Sequence, residues 1–250
     1  MRDPIRIGDF RGFRYAELEP ELLERVPRWL AEERVAEGTD LKRGRVFRWK
    51  DYAVKFGEPE RRLRDLPRPS RAVRSADLHR KLLPLATPRP YLALERRVRL
   101  RVEQSLLVSE FIAGERFFDL WGRDARAVAA FPLFLADMHV RGIFHGDFHL
   151  ENALWNGAAW YLIDLESVRH RLHGLFPGKF LEAHWAIVTF DLGEKCQARE
   201  SELRALFETY WARSERTADP APTWRRIQER AERMRRDWER RKPRGSSAAS

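Results

Sequence analysis

The stretch IFHGDFHLENALW (Ile143–Trp155) sets His145-Gly146-Asp147 ahead of four residues and then Asn152. Further along, Asp164 follows Leu162 and Ile163, and upstream Lys55 stands in YAVKF (Tyr52–Phe56). These residue types suit one chemistry. Moving a phosphoryl group from ATP to a hydroxyl needs a carboxylate beside the acceptor, oxygen ligands for Mg²⁺ and a cation on the nucleotide phosphates. In that reading Asp147 orients the hydroxyl and takes its proton. Asn152 and Asp164 hold the metal, and Lys55 binds the α- and β-phosphates. Charged groups between Ile143-Phe144 and Ala153-Leu154-Trp155 would be costly to bury without a role, which separates this stretch from an ordinary polar turn.

Several neighbours have quieter readings. His145 reads as a histidine that braces the loop backbone, and His149 either steadies the loop or touches substrate. Glu166 is a supporting or substrate-contacting carboxylate. His139, His145 and His149 leave a zinc site without a fourth ligand.

The elements that must position these residues follow from periodicity. RVFRW (Arg45–Trp49), a turn at Lys50-Asp51 and YAVKF predict a hairpin carrying Lys55. TPRPYLALE opens a second strand region that ends in LLVSEF (Leu106–Phe111). Asp124 is a candidate N-cap for a helix to about Arg141, buried through Phe131, Phe134, Leu135 and Met138. ALW, the turn at Asn156-Gly157 and WYLID predict a small hairpin that brings Asp164 back toward the loop. Further helices are predicted over Ala16–Val35, Ala72–Leu85, Phe180–Val188 and Arg199–Ser214. Strands with one helix, then mostly helices, make an α+β protein in two lobes that meet near Ile112–Gly114.

Composition bounds the class. The 250 residues carry a net charge of +10, and 43% hydrophobic residues with 15 Phe and 9 Trp exclude a disordered chain. No apolar run reaches the length of about 18 residues that spans a bilayer. MRDPIRIGDFRGFRY lacks the apolar core of a secretory leader. The single cysteine, Cys196, excludes an intramolecular disulfide framework and a Cys-rich zinc site. A soluble cytoplasmic protein is expected. Thr223–Arg244 holds ten basic and four acidic side chains, with Trp224, Ile227, Ala231, Met234 and Trp238 at helical spacing. This helix either packs its tryptophan face or draws the chain to anionic lipid. No nucleic-acid-binding module accompanies the charge, so no specific nucleic acid is expected. The closing GSSAAS is expected to be disordered.

The pattern H-x-D-x-x-x-x-N, with a later metal Asp and an earlier strand Lys in Ala53-Val54-Lys55, resembles the protein-kinase-like superfamily over roughly residues 38–214. Leu165-Glu166 stand where protein kinases have Phe-Gly, and no A-P-E segment follows. TPRPYLALERR, LLVSEFIAG, LADMHVRGIFHGDFHLENALW and LIDLESVRHR together resemble the lipopolysaccharide core kinases, which phosphorylate heptose or 3-deoxy-manno-octulosonic acid sugars. That resemblance implies a kinase fold with a small β-rich N-lobe and a mainly helical C-lobe, with ATP and Mg²⁺ in the cleft between them. It implies a lipopolysaccharide core or lipid-linked sugar acceptor, and work on the cytoplasmic face of the inner membrane. Backbone groups of Glu110 and Ile112 would meet adenine. The implied divisions are an N-terminal helical extension over 1–37, a nucleotide-binding N-lobe over 38–112, a C-lobe over 113–217, and a basic helix and tail over 218–250.

Two departures stand out. Only Gly38 and Gly44 are available for a phosphate-covering loop, with Lys42, Arg43 or Arg45 to supplement it. The helix Glu that normally pairs with the strand Lys is missing, and Asp77 is the candidate replacement. These departures keep a non-catalytic kinase-fold binding protein in view. An aminoglycoside- or choline-type kinase and a protein-kinase-like enzyme are the other readings. The positive charge disfavours a cationic acceptor.

Overall fold

The structure is a computed structural model that describes residues 2–60, 68–170, 177–214 and 216–241. The chain divides into two compact units, Met1–Ala113 with Tyr161–Val168, and Gly114–Trp160 with Arg169–Ser250.

The first unit is built on a seven-stranded antiparallel sheet. Its strands are β1 (Asp3–Ile7), β2 (Phe10–Arg14), β3 (Thr39–Asp40), β4 (Val46–Trp49), β5 (Tyr52–Gly57), β6 (Pro90–Val98) and β7 (Arg101–Glu110). They lie side by side in the order β1-β2-β6-β7-β5-β4-β3. Two helices, α1 (Pro20–Glu32) and α2 (Arg71–Leu82), belong to this unit.

Strand alternation decides which helix covers which face. Val54, Leu92, Leu94, Leu106 and Val108 join Leu22, Val26, Trp29 and Leu30 of α1 in one core. Ala93 points the other way and packs with Val73 and Ala76 of α2, beside Leu107. Lys55 sits opposite Leu107 in the β5–β7 register, so it shares the α2 face. The return segment Tyr161–Val168 lies on that face too. The Leu162 N–H donates to the Ala86 carbonyl at 2.9 Å, and a 3₁₀ turn at Leu165–Ser167 rests against α2.

The first 37 residues are not a helical extension. β1 and β2 form a hairpin that adds two strands to the sheet, and only then does α1 begin, at Pro20. The alternation in DPIRIGDFRGFR is obscured because arginines fill its exposed positions and burial on its other side is partial. Gly12 permits the contact with β6. A Cβ there would sit 1.9 Å from the Ala93 carbonyl oxygen.

The second unit contains β8 (Glu115–Arg116), α3 (Phe117–Leu120), α4 (Ala125–Val140), β9 (Ile143–His145), β10 (Ala153–Trp155), α5 (Pro177–Cys196), α6 (Glu200–Arg213) and α7 (Ala221–Arg241). Asp124 caps α4, its Oδ1 accepting from the Ala127 N–H at 2.9 Å. Phe117 is fully buried, with ring centroids 4.5 Å from Phe131 and 5.5 Å from Trp160. The Asn156 side chain accepts from the N–H groups of Ala158 and Ala159, closing the predicted turn. α5 runs well beyond the predicted Phe180–Val188, because its later turns are covered by α7. Trp224, Ile227 and Ala231 of α7 are buried, and Trp224 lies 5.2 Å from Phe207. The basic helix is therefore part of this core and leaves its arginines outward. The GSSAAS end lies outside the described residues. Among the described residues no helix is long and apolar enough to cross a membrane. The fold class is α+β, a sheet-rich N-terminal unit and a helical C-terminal one, as the catalytic-loop pattern implies.

Gly12→Ala is expected to destabilise the fold by about 1–3 kcal/mol through overpacking, read as a lower urea midpoint. An unchanged midpoint would mean that β2 does not approach β6 this closely.

Candidate active site

The first unit brings Lys55, Asp164 and Glu166 together. The Lys55 ammonium is 2.8 Å from Asp164 Oδ1 and 2.7 Å from Glu166 Oε1. The other Glu166 oxygen faces the Arg71 guanidinium at 3.8 Å. Lys55, Asp164 and Glu166 are only partly exposed, at 28%, 32% and 21%. Burial alone would lower the Lys55 pKa, but the charges of Glu166 and Asp164 outweigh it and hold the ammonium above its ordinary value. Asp164 itself adopts a left-handed backbone, φ 58° and ψ 58°, at the residue before the 3₁₀ turn. Aspartate tolerates that region better than most residues, and the turn aims its carboxylate back at β5.

Asp77 does not pair with Lys55. It accepts from the Tyr15 hydroxyl at 3.0 Å and is ion-paired with Arg2. The reason lies in the phase of α2. Val73 and Ala76 face the sheet, Arg71 and Arg74 face the turn and Glu60, and Asp77 falls on the side of β1 and β2. The helix therefore offers a cation where a carboxylate was expected. Glu166 supplies the second carboxylate from the turn. The signal available in the sequence was the pair of acids in I-D-L-E together with the absence of a helix Glu.

The segment expected to cover phosphates is tied up in its own contacts. A Cβ on Gly38 would lie 2.7 Å from Val35 Cγ1 and 2.9 Å from the Arg48 carbonyl, so this glycine serves packing. Gly44 has φ +75°, and its N–H donates to Asp40 Oδ2 at 2.7 Å. The Lys42 N–H is likewise taken by Asp40 Oδ1 at 3.0 Å, and Arg45 is ion-paired with Glu58. The exposed side chains of Lys42 and Arg43 are the cations left without an ion pair there among the described residues.

Glu110 and Ile112 end the unit. The Glu110 N–H donates to the Arg89 carbonyl at 2.8 Å, and its carboxylate accepts from the Arg89 N–H at 3.2 Å. The Phe111 N–H donates to the Asp51 carbonyl at 2.8 Å. Ile112 is buried, yet neither its N–H nor its carbonyl has a hydrogen-bond partner among the described residues.

The second unit brings His145, Asp147, His149 and Asn152 together in one loop. His145, Phe148 and Leu150 are buried, while the Asp147 side chain is 73% exposed. The apolar residues thus anchor the loop and turn the carboxylate outward. The Asp147 N–H donates to His145 Nδ1 at 3.3 Å. Asn152 Nδ2 donates to the Asp147 carbonyl at 3.0 Å. That bond spends the amide nitrogen inside the loop and leaves Oδ1 without a partner among the described residues. His149 Nε2 is 3.4 Å from Asp147 Oδ1. On α5, Lys195 lies 3.7 Å from Glu151 and 3.6 Å from Asp191. Burial raises the Asp191 carboxyl, opposed by Lys195 and His149. Asp191 and Lys195 escaped sequence reasoning because they sit in an otherwise helix-like run.

Among the described residues no cluster of three or more His, Cys, Asp or Glu is arranged to hold a metal by itself. An oxygen from Asn152 and carboxylate oxygens from Asp164 are the donor types Mg²⁺ takes when phosphates and waters complete its shell.

The α+β architecture, a sheet-rich N-terminal unit and a helical C-terminal one, is that of a kinase-like fold. It is shared with a solved structure described as WaaP in complex with acyl carrier protein. That match has a TM-score of 0.56 and 21% identity, and covers 88% of this chain and 98% of that one. At this identity the likeness establishes the fold. A crystal structure of WbdD matches with a TM-score of 0.45 and 16% identity over 91% of this chain and 52% of that chain. No protein-family model matches the chain, and no curated protein matches it in sequence.

Glu166→Gln is expected to lower the Lys55 ammonium pKa, because one of its two negative neighbours is removed. Heteronuclear NMR of the lysine Nζ measures this. An unchanged value would mean that Glu166 does not face Lys55.

Proposed function

We propose that the protein is an ATP- and Mg²⁺-dependent phosphotransferase that acts on a sugar hydroxyl of the lipopolysaccharide core or of a lipid-linked sugar. The observation that carries this reading is the Lys55–Asp164 pair at 2.8 Å, in a chain whose H-G-D-x-x-x-x-N loop turns the Asp147 carboxylate outward. Lys55 is charged and held, ready to exchange carboxylate oxygens for phosphate oxygens. Asp147 orients the acceptor hydroxyl and takes its proton as the oxygen attacks. Asn152 Oδ1 and Asp164 would hold Mg²⁺, which when bound neutralises charge on the phosphates. The unpartnered backbone groups of Ile112 suit adenine. The family resemblance of the surrounding text supports the acceptor class, and the WaaP-like fold supports the architecture that the reaction needs.

The net charge of +10 favours an anionic acceptor over a cationic one. It also supports residence at the cytoplasmic face of the inner membrane. Arg225, Arg233 and Arg236 of α7 are exposed and form no ion pair among the described residues. Anionic lipid attracts each such side chain by about 1 kcal/mol. Deleting α7 would uncover its buried Trp224 face, so charge reversal is the cleaner probe. Arg225→Glu with Arg233→Glu and Arg236→Glu should reduce co-sedimentation with anionic vesicles at low salt. Equal binding would return α7 to a packing role alone.

The decisive assay follows ³²P from ATP into purified lipopolysaccharide core acceptors. Label in the glycolipid is expected, and Asp147→Ala should reduce it by roughly 10²–10⁴-fold while sparing nucleotide binding. Nucleotide bound but never transferred across a broad acceptor panel would favour the non-catalytic binding protein, a reading that the Asp40-occupied loop keeps alive.

A further inference from the structure

Three buried side chains of the second unit form a line that the reaction described above does not use. Tyr210 Oη lies 2.8 Å from His139 Nδ1, and His139 Nε2 lies 2.7 Å from His184 Nδ1. His184 Nε2 lies 2.9 Å from the carbonyl oxygen of His145. The last contact sets the direction of all the others. A carbonyl only accepts, so His184 carries its proton on Nε2. Its Nδ1 then accepts from His139 Nε2–H, and His139 Nδ1 accepts from the Tyr210 hydroxyl. Both imidazoles are neutral Nε2–H tautomers, and every polar atom of the line is satisfied.

We propose that Tyr210, His139 and His184 are positioning residues that hold the His145 carbonyl, and with it the loop that presents Asp147. The line runs from α6 through α4 and α5 to the first residue of that loop. From His145 it continues, since the His145 ring accepts from the Asp147 N–H. A second contact grips the same loop. The His184 ring stacks on Phe148 with centroids 4.6 Å apart and planes 27° apart. His139 is braced in turn by Phe144, 5.4 Å away at 19°. A loop tied at both its carbonyl and its buried aromatic cannot shift Asp147 without breaking a buried hydrogen bond.

The surroundings keep the line neutral. Burial pushes the His139 and His184 pKa values down, with His184 at about 4. The neighbouring His184 and Arg216 oppose protonation of His139, and His145 and Arg230 oppose protonation of His184. Because the folded pKa values lie below the unfolded value near 6.5, the unfolded chain binds more protons between about pH 4 and 6.5. Stability from these groups is full above that window and is lost as pH falls through it.

The catalytic consequence rests on the phosphotransferase reading, but the line itself does not, and the test separates the two. Long-range ¹H–¹⁵N correlation spectra of the full chain at pH 6 should give both histidines as neutral Nε2–H tautomers. A protonated ring, or an Nδ1–H tautomer at His184, overturns the proposal. Tyr210→Phe and His184→Phe should each shift the Asp147 backbone amide resonance, whereas His184→Gln, which keeps a donor and an acceptor, should largely restore it. An unmoved Asp147 amide in folded Tyr210→Phe overturns the proposal whether or not any acceptor is turned over. With turnover established, His184→Phe should lower kcat roughly 10–100-fold with the nucleotide KM little changed, on the scale of a misplaced catalytic group. Wild-type kcat in a folded His184→Phe chain overturns it, and Tyr210→Phe serves the same comparison should His184→Phe fail to fold.

Discussion

A half-buried ammonium must be paired, and Lys55 is the point at which this constraint organises the first unit. Taking a charge out of water is costly unless opposite charges and hydrogen bonds stand ready. Strand alternation puts Lys55 on the α2 face of the sheet rather than in the apolar core with Val54. The return segment then has to deliver carboxylates to that face, and the left-handed Asp164 with the 3₁₀ turn after it delivers two. Arg71 balances the surplus. Two cations against two carboxylates leave the cluster near neutrality.

The second unit presents the opposite case, an exposed carboxylate. Asp147 gains nothing from burial, so its position comes from its neighbours in the chain. His145, Phe148 and Leu150 go inward and Asp147 goes outward. Asn152 closes the loop through the Asp147 carbonyl. Beneath it the Tyr210–His139–His184 line satisfies the His145 carbonyl with neutral groups, which avoids burying a charge in a core built from Trp185, Phe207 and Trp224.

Much of this was legible in the residues. The hairpin carrying Lys55, the capped α4 and the Asn156 turn come from local rules, because turn geometry, capping and short-range periodicity depend on neighbours in sequence. The family pattern pointed to the fold. What escaped was long-range. β1 and β2 read poorly because their burial depends on a distant partner, β6, and arginines occupy the open side.

The sequence by itself determined which side chains could do chemistry and the α+β class that carries them, since residue type, spacing and periodicity are local properties. Tertiary structure decided who pairs with whom. It gave Asp77 to Tyr15 and Arg2 and Glu166 to Lys55, because the phase of α2 against the sheet is set by packing of Val73 and Ala76 and not by the helix's own sequence. It also joined His139, His184 and Tyr210, residues from three helices whose meeting no spacing announces. Hydrogen bonds between distant elements depend on where a whole core settles, and only the folded chain contains that information.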